Sequence, residues 1–273
     1  MACGVRYSAG FEAFPGGQRF TNEWLPDGKA PRRPVVLLPP FGEEMNKSRR
    51  SIAIAARLFA SHGLAVHAFD PAGTGDSEGE FGDATWAAWT CDAKFAISRV
   101  AERWSARPTV WAIRSGALLL PALDHVFDDV LLWQPVTSGD AFLTQLLRLK
   151  VAADTFAGVE GTTTKQLRSQ LGAGATLEIA GYELNPDLVL PMSAINLQTW
   201  GSPPRSTAWL ETGGDPAGAP SPASQRVADA WSAHGALVVR KYVVGEQFWL
   251  TQEIAENRTI AEASVTALEG VPA

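Results

Sequence analysis

Leu64-Ala-Val-His-Ala-Phe-Asp-Pro-Ala-Gly-Thr-Gly-Asp-Ser77 reads as a short apolar strand that ends in Asp70 and enters a turn with glycines at 73 and 75. Glycine permits a tight, left-handed turn at these positions. Asp76 and Ser77 carry short polar side chains that hydrogen-bond backbone groups within such turns. A phosphate-binding loop would instead open directly into a helix and carry a Lys, or a third glycine spaced as G-x-G-x-x-G. Gly79 falls one residue late for that spacing. Asp70, Gly73, Gly75, Asp76 and Ser77 are therefore read as a structural turn.

Working outward, the same kind of strand recurs at Val35-Val-Leu-Leu38, Thr109-Val-Trp-Ala-Ile113, Val130-Leu-Leu-Trp133, Ala208-Trp-Leu210 and Ala236-Leu-Val-Val239. Helix-length patterns lie between: Lys47 to His62, Thr85 to Trp104, Gly116 to Leu123, Ala223 to His234 and Thr251 to Leu268. Strands alternating with helices predict an α/β fold with a mostly parallel twisted sheet covered on both faces. His62-Gly63 and His234-Gly235 put glycine where helices end. Phe11 to Leu25, with Pro15-Gly-Gly17 between extended runs, predicts an N-terminal antiparallel hairpin on the sheet edge. Ser138 to Gly201 breaks the alternation with two helical patterns, Phe142 to Ala153 and Lys165 to Leu171, and an extended stretch, Leu177 to Tyr182. About sixty residues is too long for a plain loop, so a largely helical lid insertion over the strand ends is expected. The division is 1–137, first part of the core; 138–201, insertion; 202–273, second part of the core.

Composition bounds the function. The 273 residues carry 23 Lys and Arg against 29 Asp and Glu, a formal charge of −6, with no basic block. A phosphate-binding face needs clustered cations, so nucleic acid is excluded as the main partner. Two cysteines, Cys3 and Cys91, cannot build a disulfide framework. Met1 to Gly16 lack a basic stretch followed by an apolar run, so no secretory signal is expected. No apolar run reaches the roughly 18–20 residues of a membrane helix, and a cytoplasmic protein without a transmembrane segment is expected. The ten tryptophans, Trp86, Trp89, Trp104, Trp111 and Trp133 among them, are read as core filling. No zinc-ligand spacing and no complete Walker or dinucleotide fingerprint is present, so neither a metal nor a cofactor is expected.

Strand, Asp and double-glycine turn at 69–77 resemble the turn after the fourth strand of the α/β-hydrolase fold. On that alignment the next strand should end in a nucleophile elbow, G-x-S-x-G. The chain reads Ala112-Ile-Arg-Ser-Gly116 there, with small residues at both outer positions and Arg114 at the apex. A guanidinium stays protonated and only donates, so it cannot attack an acyl group. Ser115, one step on, would act only in a shifted elbow. The acid position falls at Glu211, with Asp215 as second choice, and the loop Val243 to Trp249, where a histidine base should lie, contains none. His62, His67, His125 and His234 read as helix-end, strand or surface positions. After the first core strand, Phe41 or Gly42 is placed to supply an oxyanion-hole N–H. Arg114, Glu43, Glu44, Glu211 and Glu246 are expected to converge at the strand ends. Two readings of that cluster stay open: a satisfied salt-bridge network, or a polar site in which one desolvated carboxylate works as general acid or base.

Longer strings carry a narrower resemblance. Pro39-Pro-Phe-Gly-Glu-Glu-Met-Asn-Lys-Ser-Arg-Arg50, Gly73-Thr-Gly-Asp-Ser77, Leu132-Trp-Gln-Pro-Val136 with Ser138-Gly139, Ile179-Ala-Gly-Tyr182, and Gly245-Glu-Gln-Phe-Trp249 with Thr251-Gln-Glu253 resemble the exosortase A system-associated hydrolases, type 2, from about Phe11 to Glu256. The resemblance implies an α/β-hydrolase-fold protein that serves bacterial exopolysaccharide and exosortase protein sorting (PEP-CTERM) functions, with Arg at the elbow where Arg114 stands. Gln247 departs from the family's Pro between Glu246 and Phe248.

Three classes remain open: a hydrolase or a transferase of ester, acyl or glycan-type substrates with a non-standard site, an anion-binding protein built on Arg114, and a non-catalytic scaffold. Four glutamates around the arginine would oppose an anion, which ranks the hydrolase-like enzyme first. Its substrate, small-molecule or lipid- or glycan-linked, is not specified by the sequence.

Overall fold

The computed structural model describes residues 4–123, 126–158 and 161–269. Its sheet contains β1 (Val5–Phe14), β2 (Gly17–Pro26), β3 (Arg33–Leu38), β4 (Leu64–Phe69), β5 (Thr109–Ile113) and β6 (Asp129–Trp133). After a separate hairpin, β7 (Leu177–Ile179) and β8 (Tyr182–Leu184), the sheet is completed by β9 (Ser206–Gly213) and β10 (Leu237–Val244). The order is β1-β2-β4-β3-β5-β6-β9-β10. The β1–β2 and β2–β4 pairs are antiparallel, and every other pair in this sheet is parallel. The mostly parallel α/β sheet with an N-terminal antiparallel hairpin is thus as expected.

Central strands read as apolar runs because both faces are covered. Val35, Leu37, Trp111, Ile113, Leu131 and Trp133 face α1 (Glu43–Ser61) and α7 (Arg258–Glu269), while Val36, Leu38, Val110, Ala112, Val130 and Leu132 face α2 (Trp86–Trp104). α6 (Pro222–Ala233) covers the α2 side through Val227 and Trp231. Trp111 and Trp133 are fully buried; the indole N–H of Trp133 donates to Ser264 Oγ at 2.8 Å, while that of Trp111 has no hydrogen-bond partner among the described residues.

The 70–77 turn is held by bonds within itself and by bonds to β2 and α1. Ser77 Oγ donates to the Asp70 carbonyl and accepts from the Phe20 N–H. The Asp70 carboxylate takes two hydrogen bonds from Arg49 and one from the Asp76 N–H.

Two helix starts differ most from the sequence reading. α1 begins at Glu43, four residues early, because Gly42 at φ 55° turns the chain sharply into the helix. α7 begins at Arg258, not Thr251. The segment ahead of it is anchored by Asn257, whose amide donates to the Glu246 carbonyl and whose Oδ1 accepts from the Ile260 N–H.

Between β6 and β9 lie α3 (Gly139–Phe156), α4 (Thr164–Gly172), the β7–β8 hairpin and α5 (Pro186–Ser193). α5 went unread in the sequence although Asn185-Pro186 is a helix-start signature; Asn185 Oδ1 accepts from the Asp187 N–H. α3 and α5 touch backbone to backbone, since a Cβ on Gly139 would lie 2.0 Å from the Met192 carbonyl. Among the described residues no helix is long and apolar enough to cross a membrane.

Candidate active site

β5 is buried along its whole length and ends at Ile113, one residue before Arg114. Arg114 sits at φ 52°, a left-handed conformation that costs a residue with a Cβ about 1–2 kcal/mol. From it the chain enters a 3₁₀ run, Arg114–Ala122. Strand, strained apex and helical turn make the elbow the sequence suggested. It is packed hard against β3, because a Cβ on Gly116 would lie 2.3 Å from the Leu38 carbonyl oxygen and 2.7 Å from that of Pro39. Backbone cannot yield as a flexible side chain does, so Gly116→Ala is expected to cost about 3 kcal/mol or more, measured as a lower urea midpoint. A wild-type midpoint would show that the elbow packs less tightly than this.

All three nitrogens of the apex side chain are hydrogen-bonded. Arg114 Nη2 donates to Glu44 Oε1 at 3.0 Å and Nε to Oε2 at 3.2 Å. Nη1 donates to the Gln134 carbonyl at 3.0 Å, and the guanidinium lies 5.0 Å from the centre of the Trp249 ring. The pair is mostly buried, with side-chain exposures of 13% and 16%. A two-pronged Arg–carboxylate contact is among the stronger polar contacts available. Glu44 stands in the first turn of α1, where the helix dipole also favours a carboxylate.

Ser115 does not take the nucleophile's place. It is 5% exposed, and its Oγ accepts the Phe41 N–H at 2.8 Å. Phe41 N–H is one of the donors that would stabilise an oxyanion on this fold. A side-chain oxygen of the protein itself fills that position.

The other expected members of the cluster separate. Glu211 is buried on β9, its Oε2 accepts from the Ser221 N–H at 2.9 Å at the start of α6, and its Oε1 has no hydrogen-bond partner among the described residues. Asp215 is exposed and accepts from the Ala217 N–H. Glu246 is exposed, with its carbonyl held by Asn257. Glu43 is exposed, and its Oε2 accepts from the Tyr182 hydroxyl at 3.2 Å and from the Asn46 amide at 3.4 Å. The expected convergence of four carboxylates on Arg114 is therefore corrected. Only Glu44 is shown bonded to the guanidinium, because the start of α1 aims Glu44 at the apex and Glu43 away from it.

No histidine stands in the loop after β10, where Gln247 instead donates to the Thr212 carbonyl. His62 lies beside Glu269, His67 is buried in β4 near Glu23, and His234 ends α6. His125 lies outside the described residues. No group of potential metal ligands occurs among the described residues.

A cavity of about 300 Å³ opens between the start of α1, α3, the β7–β8 hairpin and the loop after β10. Phe41, Phe142, Leu146, Ile179, Leu184 and Trp249 form its apolar lining, and Glu43, Glu44, Lys47, Gln145 and Tyr182 are its polar members. Tyr182 bridges the two sides: its ring meets Phe81 edge-on at 5.0 Å and its hydroxyl accepts from Asn46 at 2.9 Å. Burial and the neighbouring Glu43 carboxylate push its phenol up to about 12, so it stays protonated at neutral pH.

Sequence reading had not assigned Tyr182, Trp249, Gln134 or Lys47 to the site. The available signal was Ala180-Gly181, at φ 51° and 83°, a two-residue hairpin turn that swings Tyr182 back towards α1.

This strand order, with the elbow after β5, is that of the α/β-hydrolase fold, and the chain has that fold. Est1E from Butyrivibrio proteoclasticus, solved with ferulic acid bound, is 16% identical, with 96% of this chain and 98% of that one covered and a TM-score of 0.67. A highly thermostable carboxyl esterase from Bacillus coagulans, in complex with glycerol, is 15% identical over 97% and 98% of the two chains, with a TM-score of 0.64. A soluble variant of monoglyceride lipase from Saccharomyces cerevisiae, bound to a substrate analogue, is 13% identical over 96% and 93%, with a TM-score of 0.63. At such identities the likeness establishes the fold and not the activity. No protein-family model matches the chain, and no curated protein matches it.

Proposed function

We propose that this α/β-hydrolase-fold protein serves a bacterial exopolysaccharide and exosortase protein-sorting system in the cytoplasm, and that it binds an amphipathic small molecule in the cleft beneath a lid formed by α3 and the β7–β8 hairpin. On this reading the serine-hydrolase machinery has been converted into scaffolding. The assignment to that system is supported by the family resemblance of the strings at 39–50, 73–77, 132–139, 179–182 and 245–253. The absence of serine chemistry rests on one observation: the elbow apex is an arginine tied to Glu44, while Ser115 fills the Phe41 N–H. A serine without a base is a weak nucleophile, and here its oxygen is also turned from the apex.

The purified protein is expected to resist stoichiometric labelling by a fluorophosphonate probe and to leave short and long p-nitrophenyl esters intact. Labelling at Ser115, with turnover lost in Ser115→Ala, would overturn the reading.

A second reading, a hydrolase-like enzyme working through carboxylates, draws support from the esterase and lipase structures that share the fold and from the unpartnered, buried Glu211 Oε1. A buried polar atom without a partner is uncommon and calls for an explanation. Ester turnover that survives Ser115→Ala and disappears in Glu211→Gln would establish it in place of the first.

A further inference from the structure

We infer that the cleft selects a neutral amphiphile whose head carries hydroxyl groups, such as an alkyl glycoside or an acylated polyol, over a fatty acid or an alkyl sulfate. This rests on the reading of the cleft as a ligand site and adds the chemistry of the head group. At about 300 Å³ the cavity is at the small end of ligand pockets, enough for a short chain and part of a head. Phe142, Leu146, Ile179 and Leu184 supply the surface for the chain, and Leu149 and Leu250, both about half exposed, mark its mouth.

The polar members carry no net charge. Glu44 is neutralised by Arg114. Glu43 and Lys47, one turn apart on α1, both line the cleft, so their opposite formal charges sum to zero at this end. The N-terminus of α1 would by itself favour an anion, but Glu43 and Glu44 already occupy its first turn. An anionic head brought to this end meets the Glu43 carboxylate as well as Lys47, so the attraction of the one is offset by the repulsion of the other and the head's lost hydration is not compensated.

Hydrogen-bonding capacity favours the same ligand. Glu43 Oε2 is occupied by Tyr182 and Asn46, yet an ionised carboxylate has about four acceptor sites. Tyr182 donates to Glu43 and accepts from Asn46, which leaves its oxygen one further acceptor site. Gln145 offers both a donor and an acceptor. An end this rich in acceptors suits hydroxyl donors, which carboxylate and sulfate heads lack.

The test uses three probes with one chain: octyl β-D-glucoside, octanoate and octyl sulfate, titrated below their micelle concentrations against the full-length protein by calorimetry. Octyl glucoside is expected to bind at least tenfold more tightly than either anion. Tyr182→Phe, which keeps the ring, should weaken glucoside binding about three- to tenfold, the effect of one lost hydrogen bond, and leave octanoate unchanged. Leu146→Trp fills the cavity and should abolish binding of every probe. Leu250→Asp, at the exposed mouth, should do the same without repacking the interior. Octanoate or octyl sulfate bound as tightly as the glucoside would overturn the head-group assignment while leaving the cleft as the site. No binding of any probe, or binding unmoved by both Leu146→Trp and Leu250→Asp, an adventitious additive only, would overturn the cleft reading itself.

Discussion

Arg114→Ala is expected to destabilise the protein by about 2–3 kcal/mol, the scale for removing one partner of a mostly buried ion pair, reduced for its partial exposure. The substitution leaves Glu44 without its cation, removes a donor from the Gln134 carbonyl and takes the guanidinium off Trp249. Those groups come from α1 and from the loops after β6 and β10, so the loss loosens three segments around the end of β5 together. It also retains the left-handed backbone at φ 52°. Arg114→Gly loses the same contacts but relieves that conformation, and should be about 1 kcal/mol more stable than Arg114→Ala, the reverse of the usual order. Urea unfolding of both variants, with Glu44→Ala and Arg114→Ala/Glu44→Ala completing a double-mutant cycle, separates the terms. A pair that acts as a unit gives a double variant less damaged than the sum of the singles. If Arg114→Ala unfolds at the wild-type midpoint, the apex arginine is not a structural clamp, and a direct role for it towards a ligand becomes the better account.

Much of the sheet was legible in the sequence because a parallel strand covered on both faces reads as a short apolar run, as at Val35–Leu38 and Val130–Trp133, and these runs alternate with helix-length patterns. Where boundaries were misread, the residue just ahead of the helix decides them, through its backbone or its side-chain bonds. Gly42 at positive φ starts α1 early, and Asn257 starts α7 late through its bonds to Glu246 and Ile260. α5 was hidden because Pro191 lies inside it, and an internal proline ordinarily argues against a helix. Within the site, Arg114 was legible as the apex since Ala112 and Gly116 frame the elbow locally. Its partner was not, because choosing among four glutamates requires the rotation of α1, which is set four residues before the helical pattern becomes readable. Nor did the sequence reveal that Ser115 would bond to Phe41, 74 residues away.

The largest loss expected from one substitution lies on the other side of the sheet order, at Arg19 and Asp92. Arg19 on β2 and Asp92 in α2 are 2% and 0% exposed, with Nε and Oδ2 2.8 Å apart. Asp92 Oδ2 also accepts the Ala72 N–H at 2.8 Å, so one carboxylate ties the N-terminal hairpin, α2 and the 70–77 turn to one another. Its Oδ1 has no hydrogen-bond partner among the described residues, so little else there offsets the carboxylate's lost hydration. Arg19→Leu would strand that charge in the interior, for a cost of about 3–5 kcal/mol. A domain of this kind has a total stability of about 5–15 kcal/mol, so the variant should unfold at a far lower urea concentration. Replacing both residues, Arg19→Leu with Asp92→Leu, removes the stranded charge and leaves chiefly the Ala72 N–H without an acceptor, about 1–3 kcal/mol. The double variant should therefore be more stable than Arg19→Leu alone. A single variant within 1 kcal/mol of wild type would mean that water reaches Asp92, and that the hairpin is held to the core by its apolar contacts, Phe14 against Phe69 and Phe95, without help from the ion pair.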